Sequence, residues 1–231
     1  MATFLDLSQR AASESGTVNG AFPSTVVGQT GRLGKIVRWT NDAWRSIQNA
    51  HGSWRWMQSD FTSTAIASGT RAYSASALSI TRFGEFPIRD DLEDRYSIYL
   101  TATGVSDERP LQFMDYEAFY TTAMRGTQTN GYPIWFTVTP ANEIALHPIP
   151  DASYTLRGPY RKSPQELAAD DDEPEMPGRF HYLIVDAALE FLAIHDEAAF
   201  QLPLWKLRKL RGFTDLERDQ LPRMRFAPPL A

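Results

Sequence analysis

The sequence predicts an α+β protein in which N- and C-terminal helices form a bundle and an antiparallel β-rich domain is inserted between them. Apolar residues recur with helical spacing in residues 30–50 and again after Pro177, whereas the residues between are rich in strand formers. Helices at both ends pack most economically as one bundle. We therefore divide the chain into two helical parts, a β-rich domain and an extended tail: 1–52 and 166–221, 53–165, and 222–231.

The first predicted helix occupies residues 3–15. Thr3 or Asp6 would cap its N-terminus, and Gly16 follows its last residue, where glycine favours helix termination. A connection rich in glycine, proline and serine comes next. The chain is therefore expected to leave this helix and turn before the second helix begins.

The second predicted helix begins after Thr30, a favoured N-cap residue. Residues that recur at about 100° per position give it one apolar side: Leu33, Ile36, Val37, Thr40, Ala43, Trp44 and Ile47. We expect the helix to end at His51 and Gly52, with the glycine in the left-handed conformation. Trp39 lies at the margin of the apolar side and is therefore our candidate for a contact between subunits.

Residues 43–57, AWRSIQNAHGSWRWM, bring three tryptophans close together. After the glycine the spacing changes, because Trp54 and Trp56 alternate with Ser53 and Arg55 in a manner typical of a strand. We interpret this stretch as a helix end, a glycine turn and the start of a strand. The tryptophans would then fill the corner where a helical layer meets a sheet.

Residues 59–161 read as mainly β-structure. Strand-forming segments such as 96–100 are joined by predicted hairpin turns at 141–143 and 150–152, and one short helix over 115–124 interrupts them. Proline cannot donate a hydrogen bond to the middle of a sheet. We therefore expect the prolines of this region at strand ends and edges: Pro133, Pro140, Pro148, Pro150 and Pro159.

The C-terminal part opens with an acidic, proline-bounded segment, residues 163–177, which we predict to be a solvated linker. A long helix should follow near Pro177, with one apolar face: Phe180, Leu183, Ile184, Ala187, Ala188, Phe191 and Ile194. Residues 197–220 predict a further helix, in which Pro203 lies in the first turn or produces a kink. Its basic stretch, residues 206–211, is interpreted as a solvated helix face or a source of salt bridges between subunits.

The composition excludes several classes of protein. The 231 residues include no cysteine, so a disulfide framework, a thiol nucleophile and a thiolate zinc site are excluded. No apolar run approaches about 18 residues, and a transmembrane helix is therefore not expected. The net charge of −5 gives no overall case for nucleic-acid binding. The charge is unevenly distributed, however, because the two ends are mildly basic and the middle is acidic.

No catalytic motif stands out. The four histidines have no metal-binding spacing, and glycine-rich phosphate loops and serine-nucleophile motifs are missing. His195-Asp196 resembles the metal dyad of HD-type phosphohydrolases, but that site needs further ligands which the spacing does not supply. The run 170–173 lacks the alternation and the glycine of a calcium loop. We expect no catalytic residue, no cofactor and no metal.

Two alternatives of other classes stay open. An HD-like metal phosphohydrolase would bind metal and lose activity on His195→Ala substitution. A tail-associated receptor- or carbohydrate-binding module would expose Trp135 or Trp54 and change its fluorescence on ligand binding. A structural protein would do neither, and would instead form an assembly that depends on concentration or on a partner.

Six segments resemble, in their order and spacing, the phage adaptor (head-to-tail connector) proteins. The likeness extends from about residue 30 to 222. This family is similar to the tubular tail proteins of short-tailed phages. The segments are VRWTNDAWRSIQ at 37–48, WRWM at 54–57, NEIALHPIPD at 142–151, YRKSPQEL at 160–167, PGRFH at 177–181 and LERDQLP at 216–222.

The resemblance implies a non-enzymatic virion protein, made in the host cytoplasm and located in the neck or tail region. Such adaptors form a homo-oligomeric ring, typically a dodecamer, beneath the portal protein. The ring extends the channel through which DNA passes without specific binding, and it offers a platform to a downstream tail or nozzle protein. No membrane is involved.

Two further site hypotheses follow from this role. The tail, residues 222–231, has no core of its own, and we expect it to dock on the portal through Arg223, Arg225 and Phe226. A channel in which DNA slides should not grip phosphates. We therefore expect four acidic residues of the middle region to face the lumen: Asp90, Asp91, Glu93 and Asp94.

Overall fold

The structure is a computed structural model that describes residues 2–16, 20–88, 95–196 and 200–221. The chain forms two compact units, a helical unit of residues 1–57 and 164–231 and a β-rich unit of residues 58–163. Helices from both ends of the chain share one hydrophobic core, and the β-rich unit has its own. The predicted α+β class, with a β-rich region inserted between N- and C-terminal helices, is confirmed.

Four α-helices build the described part of the helical unit. Helix α4 is central, because α1, α2 and α5 all pack against it and its side chains are buried around most of its circumference. The helices are α1 Phe4–Ser15, α2 Gly31–Ala50, α4 Tyr182–His195 and α5 Leu202–Gln220.

Helix α1 begins and ends as the sequence predicts. The Thr3 side chain accepts a hydrogen bond from the Asp6 N–H, and the Asp6 side chain accepts one from the Thr3 N–H, a reciprocal capping box that satisfies two otherwise unpaired donors. Gly16 closes the helix with a φ of 64°, a conformation that glycine adopts without steric cost.

Helix α2 ends at His51 as predicted, but without the predicted left-handed glycine. His51, with a φ of −139°, is extended and ends the helix, and Gly52 has no positive φ. The indole N–H of Trp54 instead donates a 2.9 Å hydrogen bond to the Ile47 carbonyl. A side chain thus satisfies a terminal carbonyl that a left-handed glycine turn would otherwise have served.

The prediction that Trp54 and Trp56 start a strand is also wrong. Residues Arg55–Met57 form one 3₁₀ turn, and the first strand begins at Gln58. The Trp54 and Trp56 rings stack 4.6 Å apart, and Trp54 is completely buried in the core of the helical unit. Packing between the rings therefore overrides the local alternation of polar and apolar residues.

Residues 163–177 are not a solvated linker. Leu167 and Met176 are buried in the core of the helical unit. The backbone carbonyls of Asp170 and Asp172 accept hydrogen bonds from the Leu5 and Phe4 N–H groups. The first turn of α1 needs such acceptors, and this is why an acidic segment lies against the protein instead of extending into solvent.

The apolar face predicted for α4 is correct at its start and wrong at its end. Leu183, Ile184 and Ala187 are buried, whereas Ile194 is 59% exposed and Phe191 is half-buried. Near its C-terminus the helix buries Leu189 and Leu192 instead. Because three neighbouring helices surround α4, its buried residues are not confined to one face.

The β-rich unit contains two long strands, β1 and the central β11, among several short ones. Helix α3, Tyr116–Ala123, interrupts them where a helix is predicted, with Asp115 as its N-cap. The strands are β1 Gln58–Ile66, β2 Ala72–Tyr73, β3 Phe83–Glu85, β4 Ser97–Leu100, β5 Arg109–Pro110, β6 Gln112–Phe113, β7 Asn130–Gly131, β8 Trp135–Val138, β9 Ile144–His147, β10 Ile149–Pro150 and β11 Tyr154–Lys162.

Three sheets result. A five-stranded antiparallel sheet has β11 paired with β1 on one edge and with β4 and β3 on the other, and β5 continues from β4. A four-stranded sheet has the order β2-β9-β8-β6, in which β6 and β8 are parallel. A small parallel pair joins β7 and β10.

Some predictions for the turns and prolines of this unit are confirmed, and others are wrong. The 141–143 turn joins the antiparallel pair β8 and β9, with Asn142 at a φ of 58°, so that hairpin is confirmed. The 150–152 turn is not a hairpin, because β10 pairs with β7. Pro159 lies inside central β11, where the ladder to β4 has ended at Arg157 and that to β3 begins at Arg161. Pro159 therefore lies between these two ladders, where no N–H donor is needed.

Candidate functional site

The most distinctive surface of the helical unit is the outer side of α5. Trp205, Gly212 and Leu216 turn inward and are buried. On the opposite side three leucines spaced three residues apart remain uncovered: Leu204 is 58%, Leu207 46% and Leu210 62% exposed. Scattered single apolar residues are ordinary on protein surfaces, whereas a row along one helix makes this surface a candidate site of interaction.

Two exposed basic residues, Lys206 and Arg211, accompany these leucines. We call Leu204, Lys206, Leu207, Leu210 and Arg211 together the leucine face. Part of this surface is predictable from the sequence, because a helix with apolar residues on two opposite sides has one more apolar side than its own core requires.

Two other basic residues of α5, Lys209 and Arg208, pair with acidic residues of other helices in the unit. Lys209 pairs with Glu190 at 2.8 Å, and Arg208 pairs with Asp186 of α4 at 3.0 Å and with Glu14 of α1 at 3.3 Å. Burial raises the pKa of the Asp186 carboxyl, and the nearby Arg208 charge opposes that rise. This part of the helix surface is therefore structural.

An open groove adjoins the leucine face. Its volume is about 270 Å³, and its apolar wall is formed by Ile47 and Ala50 of α2 with Leu210 and Phe213 of α5. Leu210 belongs to both the groove and the leucine face, so the two form one continuous apolar surface.

A second exposed apolar surface lies in the loop between α1 and α2. Phe22 is 50% and Val27 65% exposed, although neighbouring Val26 is buried. Hydrogen bonds fix this loop in place. The Asp170 carboxylate accepts from the Val26 N–H at 2.6 Å and from the Thr25 hydroxyl at 3.0 Å. Sequence reasoning missed this surface, because single apolar residues in a glycine- and proline-rich loop give no periodic signal.

Exposed acidic residues follow Asp170 in the sequence. Asp171 directly follows the Asp170 that holds Val26, and Asp171 and Glu173 are both exposed. We call Phe22, Val27, Asp171 and Glu173 together the Val27 surface. It is apolar and acidic, whereas the leucine face is apolar and basic.

Trp39 lies at a third surface, a shallow depression that it shares with Asp42, Phe191, Ile194 and His195. Its side chain is half-buried. The His195 ring lies 5.2 Å from it, and the Arg32 guanidinium lies over it at 5.6 Å. The surrounding side chains thus hold Trp39 in a fixed orientation at the rim of the helical unit.

His195 and Asp196, the pair that resembles a metal dyad, take part in a network of charged side chains. The Asp196 carboxylate accepts from Arg32 at 2.7 Å and lies 2.9 Å from His195 Nδ1, while His195 Nε2 lies 2.9 Å from Lys35 Nζ. The hydrogen bond from Arg32 holds the pKa of Asp196 well below its usual range. Within the described ranges, no group of three or more His, Asp or Glu side chains is placed to hold a metal ion.

The tryptophan cluster has a structural role, because it connects two helices. The His51 ring meets Trp54 edge-on at 4.9 Å and stacks with Phe213 at 5.9 Å, and its Nε2 lies 2.7 Å from Glu217. These contacts join the end of α2 to α5. Because Trp54 is fully buried, it cannot serve as the exposed ring of a carbohydrate site.

Trp135 of the β-rich unit is half-buried. Its ring stacks with His147 at 5.8 Å, and its indole N–H donates to Gln112 at 3.1 Å. Two of the groups nominated from sequence lie outside the described residues: the acidic set Asp90, Asp91, Glu93 and Asp94, and the tail residues Arg223, Arg225 and Phe226.

Comparison with protein families matches residues 2–230 to the family described as SU10 adaptor protein. A search of curated proteins finds no match. Among the helices of the described ranges, none has both the length and the apolar character needed to cross a membrane.

Proposed function

The chain belongs to the SU10 adaptor protein family, and from this premise we propose that it is the subunit of a head-to-tail adaptor ring beneath the portal of a phage. In this proposal the ring extends the DNA channel and provides the platform on which a downstream tail or nozzle protein attaches. The observation that carries it is the family match, which leaves only the outermost residues of the chain unmatched.

The surface of the helical unit supports a role in assembly. The leucine face and the Val27 surface leave large apolar side chains in water, and covering them in a complex would be favourable at roughly 25 cal/mol per Å² of apolar area. A subunit that works as part of a ring needs such uncovered surface. A free monomer gains nothing from it.

We propose a structural and not a catalytic role. The residues nominated for chemistry are used within the fold: both ring nitrogens of His195 face charged neighbours, and Asp186 is paired with Arg208. A metal phosphohydrolase would require His195 to be available to a metal ion, and this arrangement does not favour that.

We keep Trp39 as the candidate for a contact between subunits. The depression around it includes the exposed Ile194, so a neighbouring side chain could insert there. Trp39→Ala should weaken assembly of the oligomeric ring. It should leave the fold intact, because the Trp39 side chain is only half-buried. Ring formation at wild-type strength would contradict this assignment.

The tail hypothesis rests on sequence. We propose that residues 222–231 dock on the portal, with Arg223, Arg225 and Phe226 as anchors. Deletion of these residues should abolish attachment to the portal without lowering the thermal stability of the remaining chain. Unchanged attachment would refute the proposal.

The lumen hypothesis rests on sequence as well. We propose that Asp90, Asp91, Glu93 and Asp94 face the DNA channel. Lysine at these four positions would bind phosphates and release counterions, so DNA ejection should slow and become dependent on salt. Ejection at the wild-type rate would count against their exposure to the lumen.

The test of the whole proposal is native mass. The purified protein is measured alone and again after addition of the portal protein from the same source. We expect a ring, typically of twelve copies, when the portal is present. A protein that stays monomeric in both measurements would overturn the adaptor assignment and favour a later tail component or a receptor-binding module.

A further inference from the structure

The leucine face and the Val27 surface are complementary in chemistry. Each presents exposed apolar side chains, and their exposed charges are opposite: Lys206 and Arg211 on the leucine face, Asp171 and Glu173 on the Val27 surface. We propose that the leucine face of one copy of this chain binds the Val27 surface of the next copy. This inference rests on the ring of the proposed function and assigns its contact surfaces.

The two surfaces belong to different elements of one unit. The leucine face lies on α5, which packs on α4. The Val27 surface lies on the α1–α2 loop and on the segment that hydrogen-bonds to the start of α1. A contact between two different surfaces of identical subunits is heterologous, and repetition of such a contact generates a ring or a filament. A ring is the form that the proposed function requires.

Both surfaces are held in position before any contact forms. The leucine face is part of a regular helix anchored by Trp205 and Leu216. The loop of the Val27 surface is fixed by Asp170 and by the Gln9 side chain, which donates to the Pro23 carbonyl at 2.9 Å. Rigid surfaces lose little conformational entropy on association, so this pair is suited to binding.

The charges on the two surfaces are available for pairing between copies. Lys206, Arg211, Asp171 and Glu173 form no ion pair with any side chain in the described ranges. By contrast, Arg208 and Lys209 of the same helix are paired inside the unit. Opposite charges at an interface select the correct partner surface and disfavour contact between two like surfaces.

The test exchanges the charges. One variant carries Lys206→Glu and Arg211→Glu, and a second carries Asp171→Lys and Glu173→Lys. Each variant alone would bring like charges together at every contact, so we expect assembly, measured as native mass with the portal present, to weaken about tenfold or more. An equimolar mixture has opposite charges at every contact when the variants alternate, and it should assemble like the wild type. Arg38→Glu, an exposed charge reversal on α2, is the control.

A cross-link locates the contact directly. The chain has no cysteine, so Val27→Cys and Leu207→Cys variants each carry one thiol. A mixture of the two should form cross-linked pairs in the assembly. Val105→Cys, a similarly exposed valine of the β-rich unit, should not cross-link to Leu207→Cys.

The outcomes separate the two proposals. The assigned surfaces would be overturned by a ring that forms normally but lacks the 27–207 cross-link. Charge variants that each assemble like the wild type would overturn them too. Neither result would contradict the adaptor function. Loss of assembly that the mixture does not restore would also overturn the assigned surfaces. A wild-type chain that forms no ring with the portal would overturn the adaptor function, and this inference with it.

Discussion

The helical unit and the β-rich unit use their apolar residues differently. Each has a closed core, but the helical unit leaves a row of leucines along α5 uncovered. The β-rich unit also exposes large apolar residues, but they lie on separate segments: Val105, the pair Tyr120 and Met124 at α3, and Ile134. The bare leucines contribute little to the stability of the isolated chain. They are therefore consistent with the association through the helical unit that we propose.

The two units also tolerate change differently. Strand β11 is paired along both of its edges, and the buried ring of Tyr96 packs against it at Gly158. Helices α4 and α5, by contrast, meet through flexible side chains. A sheet of this kind cannot shift to admit a new atom, but two packed helices can shift slightly. Substitutions of matched size in the two units measure this difference.

The largest effect is expected for Arg208→Met. It removes the partner of the buried Asp186 and should lower the free energy of unfolding by about 3 kcal/mol at pH 7, the low end of what breaking a buried pair costs. Urea denaturation followed by tryptophan fluorescence reports on the helical unit, since of the six tryptophans only Trp135 lies outside it.

This loss should depend on pH. Burial raises the pKa of Asp186, and removing Arg208 would raise it further, so the carboxylate is costly only above its folded-state pKa. As the pH falls, the carboxyl becomes neutral in the folded state and the deficit of the variant shrinks. Arg211→Met, which removes an exposed charge from the same helix, is the control and should change little. An equal deficit at pH 7 and pH 4.5 would rule out Asp186 as the cause.

The next effect is expected for Gly158→Ala in β11. An added Cβ would lie 2.6 Å from Tyr96 Cε1, and the Tyr96 ring is buried and bonded through its hydroxyl to the Pro159 carbonyl at 3.0 Å. Overpacking of this kind costs about 2 kcal/mol. Faster hydrogen exchange in β1 and β11 would reveal it. Gly131→Ala, whose Cβ would lie 3.5 Å from Pro148, should leave exchange unchanged.

A smaller effect is expected for Gly212→Ala in α5. The new Cβ would meet the Leu183 side chain and would lie 2.7 Å from the Tyr182 hydroxyl, but both are ends of side chains that can move. Alanine also favours a helix over glycine by about 1 kcal/mol, so the net loss in thermal denaturation should be about 1 kcal/mol or less. The double variant with Leu183→Ala should show coupling between the two sites. A loss larger than that of Gly158→Ala would reverse the comparison between the units.

The smallest effect on stability is expected for Leu207→Ser. The side chain is exposed, so the free energy of unfolding should change by less than about 0.5 kcal/mol, while assembly with the portal should weaken. Leu216→Ser, on the buried side of the same helix, must destabilise the chain by several times more. If Leu207→Ser unfolds the protein, the leucine face belongs to the core and not to an interface.

Local signals in the sequence predicted the elements whose ends are decided locally. The capping box of α1, its glycine C-cap, the Asn142 turn and the position of Pro203 in the first turn of α5 all depend on residues close in sequence. The α+β arrangement was predictable too, because helical and strand periodicities occupy separate stretches of the chain.

The errors share a cause, which is partners distant in sequence. Trp54 leaves the strand pattern and packs edge-on against Phe213 of α5. The 163–177 segment folds against α1 because its carbonyls meet the N–H groups of Phe4 and Leu5. Pro159 is tolerated in a central strand since two neighbouring ladders end on either side of it. None of these contacts leaves a periodic trace in the sequence.

The candidate surfaces divide in the same way. The spacing of Leu204, Leu207 and Leu210 and the order of the adaptor-like segments are properties of the sequence alone. The side of α5 that is buried, and the pairing of Arg208 but not Arg211, were decided by how α5 packs on α4. So was the contact between the α1–α2 loop and the acidic segment, which depends on Asp170 binding Val26. Periodicity records which residues share a face, but only tertiary packing decides which face is covered.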